Sequence, residues 1–229
     1  MAKSMLTICP SRGRPDRIQS MLYSFFKTKS DFTNILVYVA DDDPKLEEYI
    51  KVLNGVPYVI GQRRTIIDVF NYCVKRHPDY QFYSEINDDH VYRTEHWDDV
   101  LTSKIETDGK GWGIACGREL YFKDHFLPSG LVMSRNIIDV LGYFAYPLFQ
   151  HTWIDVFWSD LGKSIGRYYF CPDVIIEHMH FGVGKAPMDD NYKFSMDQQL
   201  WQQGKDIYET WVRDYRHEDV AKIKTAMGE

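Results

Sequence analysis

The sequence has no apolar run approaching the roughly eighteen residues that a membrane-spanning helix needs. Its four cysteines, Cys9, Cys73, Cys116 and Cys171, are scattered and form no C-x-x-C pair. That spacing excludes a zinc ribbon and argues against a disulfide framework in a chain of 229 residues, so the thiols are expected reduced and mostly buried. Basic residues are in deficit, 27 against 33 acids, for a formal net charge of −6. A dedicated nucleic-acid binder carries the opposite surplus, although a local basic patch is compatible with these counts. Repeats, low-complexity tracts and Pro/Gly/Ser linkers are absent too. The opening "MAKSMLTICPSRGRP" contains a strand-length apolar run rather than a signal peptide, which predicts a cytoplasmic protein.

What is present is alternation. "MLTIC" (5–9) reads as a strand, Ile18, Met21, Leu22 and Phe25 recur at helical spacing, and "NILVYVA" (34–40) reads as a second, fully buried strand. "PKLEEYIKVLN" predicts a helix that stops before Gly55; "YVI" predicts a short strand, Ile66, Phe70, Cys73 and Val74 another helix, and "YQFYSEI" (80–86) a fourth strand. Further on, "GWGIAC" (111–116), "GLVMS" (130–134) and "PDVIIEHMH" (172–180) read as strands, 135–142 and 152–162 as helices, and the chain from about Asn191 as a helical tail. The pattern is that of an α/β protein with a sheet covered by helices.

In open α/β sheets, ligands bind at the carboxyl ends of the strands. Here those ends alternate in sign: "PSRGRP" with Arg12 and Arg14, "DDDP" with Asp41, Asp42 and Asp43, "GQRRT" with Arg63 and Arg64, then "NDDH" with Asp88, Asp89 and His90. Cationic and acidic sets side by side suit a ligand with phosphates and hydroxyls together with a divalent metal, and a nucleotide has both. Each set also has a plainer explanation. "PSRGRP" lacks the P-loop and dinucleotide-fold glycine patterns and is compatible with a simple turn, and the acids before Pro44 suit a helix N-terminus. "NDDH" is harder to explain innocently, because adjacent carboxylates at the end of a buried strand repel unless a cation neutralises them. In "VIIEHMHF", strand alternation puts His178 and His180 on one face.

Together, "ICPSRGRP", "VADDDP", "EINDDH" followed by "TEHWDD", "HTWIDVFWSDLG" and "PDVIIEHMHF" resemble the GT-A nucleotide-sugar glycosyltransferases, most of all family two and its small bacteriophage and bacterial members, over about residues 5 to 185. The resemblance implies a single GT-A (Rossmann-like) α/β domain over 1–229, with a mixed central sheet flanked by helices and a helical C-terminal tail. Its nucleotide-binding half would be 1–110, its acceptor and catalytic half 111–185, and its loop and tail 186–229. By the same likeness, Asp89 binds Mn²⁺ or Mg²⁺ and Asp88 lies near the donor ribose. Asn87 stands where many members carry a third Asp, which implies weak metal binding without the donor. The acids at 41 to 43, Asp41 and Asp42 among them, would meet the base and ribose, Arg12, Arg14 and Arg63 or Arg64 would line the diphosphate side, and Pro10 and Ser11 would belong to the donor site. His178 or His180 would complete the metal shell, with His178 preferred.

Lys185, in "GVGKAPMDDNY", would belong to a loop closing over the donor. Asp155 would be the base that deprotonates the acceptor, against the plainer view that Thr152 and Asp155 form a helix capping pair; Asp160 is the second candidate. The implied activity is metal-dependent, inverting transfer from a nucleotide-diphosphate sugar, a UDP-sugar foremost, to an acceptor hydroxyl on a glycan, a protein or a modified DNA base, in the host cytoplasm if phage-encoded. A nucleotidyltransferase and a sugar-nucleotide-binding module without turnover are the alternatives.

Overall fold

Strand β1 (Met5–Ser11) sets the plan of the molecule. Successive strand side chains point to opposite faces, so Leu6 and Ile8 pack into one apolar layer and Met5 and Cys9 into another, all four buried. A strand buried on both sides needs helices above and below it. The computed structural model, which describes residues 2–121, 128 and 130–229, supplies both layers.

Helix α1 (Pro15–Thr28) starts with Pro15 in its first turn, where a missing N–H costs nothing, and buries Ile18, Met21, Leu22 and Phe25 along one stripe. Next come β2 (Thr33–Ala40), α2 (Leu46–Val52), β3 (Tyr58–Gly61), α3 (Ile66–Arg76) and β4 (Phe82–Glu85). β1 pairs in parallel with both β2 and β4, and β2 with β3. Parallel pairing brings the carboxyl ends of these strands to one edge of the sheet.

The second half makes the sheet mixed. Its elements are β5 (His90–Tyr92), α4 (Trp97–Thr107), β6 (Ile114–Arg118), β7 (Val132–Ser134), α5 (Arg135–Leu141), α6 (Ile154–Ser164) and β8 (Tyr168–His178). Among the described residues eight strands form one sheet in the order β3-β2-β1-β4-β7-β6-β8-β5, with β7 antiparallel to both neighbours and β5 antiparallel to β8. α1, α2 and α4 cover one face; α3, α5, α6 and the C-terminal helices cover the other. Those last helices are α8 (Gln198–Thr210) and α9 (Arg216–Met227), joined by a π-helical turn at Trp211–Tyr215; the short α7 (Asp190–Ser195) precedes them and lies by the strand ends instead. Trp211 is fully buried against Phe157 and donates Nε1–H to Asp219 at 2.9 Å, which roots the tail in the core. All four cysteines are free and buried.

The elements read from the sequence are present, with two omissions and several boundaries moved: β6 begins at Ile114 rather than 111, β7 at Val132 rather than 130, and β8 ends at His178, which leaves His180 beyond the strand. β5 and α4 were not anticipated: β5 has too few residues to show a period, and α4 mixes buried Trp97, Leu101 and Ile105 with a buried Asp98. β8 begins at Tyr168, four residues ahead of "PDVIIEHMH", because it continues past Pro172 through an irregularity in its pairing with β6 between Cys116 and Arg118. Among the described residues no helix is long and apolar enough to cross a membrane.

Glu85 closes β4 and joins it to the neighbouring chain. Its Oε1 accepts the N–H groups of Gly130 and Leu131 at 2.7 and 3.3 Å, and full burial, only partly offset by those bonds, raises its pKa from 4.5 to about 7. The unfolded chain therefore gives up this proton first, and the fold loses stability as pH climbs from about 4.5 to 7. Glu85→Gln keeps an accepting oxygen and removes the ionisation. Urea unfolding should show the variant matching the wild type near pH 4 and exceeding it at pH 8 by on the order of 3 kcal/mol; a wild type equally or more stable at pH 8 would contradict this.

Candidate functional site

The chain leaves β4, turns through Asn87-Asp88-Asp89 and re-enters the sheet at His90. Both acids of that turn are buried. Asp88 Oδ2 accepts from Ser11 Oγ at 2.7 Å and Oδ1 from Arg14 Nη1 at 3.0 Å. Asp89 Oδ2 accepts from Tyr192 Oη at 2.8 Å and from Arg14 Nη1 at 3.4 Å. Arg14 turns its other edge to Asp189, with Nε and Nη2 donating at 2.8 and 2.7 Å in a forked pair, and lies over the Tyr192 ring at 4.4 Å. Burial and the neighbouring Asp89 push the Asp88 carboxyl up. Burial acts the same way on Asp89, but His178 and His90 outweigh it and hold Asp89 well below the ordinary carboxylate range.

The antiparallel pairing of β5 and β8 sets His90 opposite His178. Their rings stack at 4.4 Å with 16° between planes. His178 Nε2 lies 3.4 Å from Asp89 Oδ2 and His90 Nδ1 lies 3.4 Å from Asp89 Oδ1, the latter without hydrogen-bond geometry. One ligating atom from each of Asp89, His90 and His178 fits within 4.8 Å of the others. Burial lowers the His178 pKa, but Asp89 and Glu119 overcome it and raise it to about 9; His90, buried and beside His178, is pushed down. His180 lies at the edge of this group, its ring 5.0 Å from His178 and its Nδ1 accepting the Gly182 N–H at 3.1 Å. The structure thus joins Asp89 and His178 with His90, which sequence reasoning quoted without assigning it a role.

A cleft of about 880 Å³ runs along these strand ends. Its walls include Pro10, Ser11, Arg12, Arg14, Arg63, Arg64, Asp88, Asp89, His178 and His180, with Tyr192 and Phe194 of α7 on the far side. Arg63 is 66% exposed and has only a 4.0 Å approach to Asp42, whereas Arg64 lies over Tyr72 and Arg12 pairs with Asp42. Asp41 and Asp42 are exposed outside the lining, and the buried acid of that run is Asp43, which accepts the Gly13 N–H at 2.8 Å and holds the "PSRGRP" turn against β2. Lys185 pairs with Glu177 outside the cleft.

Asp155 sits in the first turn of α6, where burial raises its pKa, opposed by the Val156 N–H that its Oδ1 accepts at 2.9 Å, and where Glu119 is a charged neighbour. The Thr152–Asp155 capping pair does not form. Trp153, with φ of 70°, is the cap residue, and Thr152 Oγ instead donates to Leu200 O at 3.0 Å, tying α8 to the start of α6. Asp160 accepts from Tyr208, Arg216 and Ser164, so it anchors the tail.

No family model and no curated protein matches the sequence. Solved structures do. The mannosyltransferase PcManGT from Pyrobaculum calidifontis, in complex with GDP-Man and Mn²⁺, is similar with a TM-score of 0.61 at 13% identity, covering 98% of this chain and 74% of that one. TarS 1-349 of S. aureus gives 0.58 at 12% identity over 98% and 79% of the two chains. Its complex with UDP-GlcNAc gives 0.56 at 11% over 98% and 80%. This chain has the GT-A glycosyltransferase fold. At such identities the likeness extends to the fold alone, and chemistry rests on the site.

Because Arg14 faces Asp88, Asp89 and Asp189 together, its removal leaves buried acids poorly compensated. Arg14→Leu should lower unfolding stability by about 3–5 kcal/mol at pH 7, read by urea titration. Arg14→Lys should recover only part of it, since a lysine cannot form the forked pair with Asp189. A leucine variant as stable as the wild type would show that the acids need no such partner.

Proposed function

We propose that the protein is a metal-dependent, inverting glycosyltransferase that moves a sugar from a nucleoside-diphosphate sugar, a UDP-sugar foremost, to an acceptor hydroxyl. The observation that carries this is the Asp89–His90–His178 group, whose Asp89 and His178 line the same cleft as Arg12 and Arg63. The donor set fits a divalent cation: Asp89 Oδ1 is buried and accepts no hydrogen bond among the described residues, and two imidazoles flank that carboxylate. Two imidazoles in the donor set argue for a transition-metal ion over Mg²⁺, which keeps to oxygen ligands. When bound, such an ion supplies Lewis-acid stabilisation to the diphosphate oxygens.

The chain's own groups divide the remaining work. Arg63 and Arg12 face the cleft with donors suited to phosphate oxygens, and Ser11 and Arg14 hold Asp88 ready for a ribose hydroxyl. Arg14 is already engaged by carboxylates, so its part is to orient the acid pair rather than to grip the diphosphate. Asp155, held by the Val156 N–H and with its pKa raised by burial, is the base that takes the acceptor proton. The solved complexes of PcManGT with GDP-Man and of TarS with UDP-GlcNAc support a nucleotide-sugar donor.

Calorimetric titration of UDP and of GDP, with and without Mn²⁺, tests the binding half of this proposal. Asp89→Ala should abolish the Mn²⁺-dependent part of the affinity while far-ultraviolet circular dichroism stays that of the wild type; undiminished Mn²⁺-dependent binding would remove Asp89 from the site. Slow hydrolysis of the bound donor tests the catalytic half. There Asp155→Asn should lower turnover roughly 10²–10⁴-fold at near-constant donor affinity, whereas Asp160→Asn should lower melting temperature and leave turnover of the folded enzyme intact. The reverse pattern would move the base to Asp160.

A further inference from the structure

An imidazole that serves as a ligand has to present a lone pair from one nitrogen, and what the other nitrogen meets decides which one that is. His178 has carboxylates at both ends. Its Nε2 is 3.4 Å from Asp89 Oδ2 and its Nδ1 is 3.4 Å from Glu119 Oε2. The backbone fixes the second approach independently, because the His178 N–H donates to the Glu119 carbonyl at 2.9 Å, so imidazole and carboxylate come from residues that are themselves bonded. Where β6 meets β8 the pairing shifts register between Cys116 and Arg118, and Gly117 lets the strands close; a methyl group there would meet Val174 O at 2.4 Å. That irregularity turns the end of β6 inward and brings Glu119 to the ring. Glu119 is 6% exposed, a position that acidic side chains seldom take without a partner to serve. His90, stacked on the ring, limits its rotation.

We propose that Glu119 is a positioning residue for the metal group: it accepts Nδ1–H of His178 and thereby commits Nε2, on the Asp89 side, to the ion. The proposal rests on the metal reading given above. Glu119 has no sequence motif around it and touches neither nucleotide nor sugar in the scheme proposed; it acts through His178.

The test uses the full chain, with Mn²⁺ as the probe, alone and with UDP. Free Mn²⁺ is counted by electron paramagnetic resonance, and the tautomer of His178 is read from its imidazole ¹⁵N shifts with diamagnetic Zn²⁺ in place of Mn²⁺, since the metal-free ring is held cationic. Glu119→Gln should weaken Mn²⁺ about 10–100-fold, the usual loss when a partner behind a ligating histidine is removed, and should disturb the single Nδ1–H tautomer. In a His178→Ala background the same substitution should cost little further affinity, because the two losses share one route. Equal losses in both backgrounds would mean that Glu119 acts on the fold generally, and an unchanged affinity in Glu119→Gln would overturn the proposal. Should Glu119→Gln fail to fold, Glu119→Asp keeps the charge and withdraws the carboxylate by one methylene; wild-type Mn²⁺ affinity in that variant would overturn it as well. A wild-type protein that binds no Mn²⁺, with or without UDP, would bring down the metal reading itself and Glu119's role with it, whereas a binding wild type with a binding Glu119→Gln brings down only the latter.

Discussion

The Arg14 guanidinium is the contact on which the arrangement of the site depends. A buried pair of adjacent carboxylates is an expensive thing to fold, since each raises the cost of ionising the other and neither can be solvated fully. Arg14 meets Asp88 and Asp89 from below and Asp189 from the side, so one planar cation fixes the "NDD" turn, the loop after β1 and the segment leading into α7. The rest of the fold makes that meeting possible. Parallel pairing of β1 with β4 brings the two loops to the same edge, and Asp43 pins the Gly13 N–H so that Arg14 enters at the right angle.

Electrostatics on the far side of Asp89 are of a different kind. Here the partners are imidazoles, one driven neutral by burial and the other held cationic by two acids. A group that keeps its charge balanced by protons can exchange those protons for a metal ion with little rearrangement of its heavy atoms. The same carboxylate therefore has a fixed partner on one face and an exchangeable one on the other.

How much of this was legible in the sequence follows from the length over which each signal extends. β1, α1 and β2 declare themselves through sustained runs, and "NDDH" stands out because two acids follow a buried strand. His90 and His178 meet only through the register of a three-residue strand against β8, which no periodicity reveals, so the H-x-H spacing offered His178 or His180, with His178 preferred, and gave no sign that His90 stacks on it. Glu119 is a solitary acid after a short strand, brought in by a pairing irregularity. Of the three acids at 41–43, burial singles out Asp43, although all three look alike in the sequence. Arg14 was legible as a cation at a strand end, but its engagement by Asp189 spans 175 residues and belongs to tertiary structure.

That span has a consequence for how the chain comes to be folded. Asp189 and Tyr192, which complete the surroundings of Arg14 and Asp89, lie within the last quarter of the chain. Contacts of such long sequence separation form late, after the loop-closure entropy between them has been overcome. During synthesis the parallel strands of the first half emerge with their acids and arginines exposed at one edge, well before α7 exists to cover them. The acidic centre is therefore sealed only when the tail arrives, because Tyr192, which donates to Asp89, is made 103 residues after it.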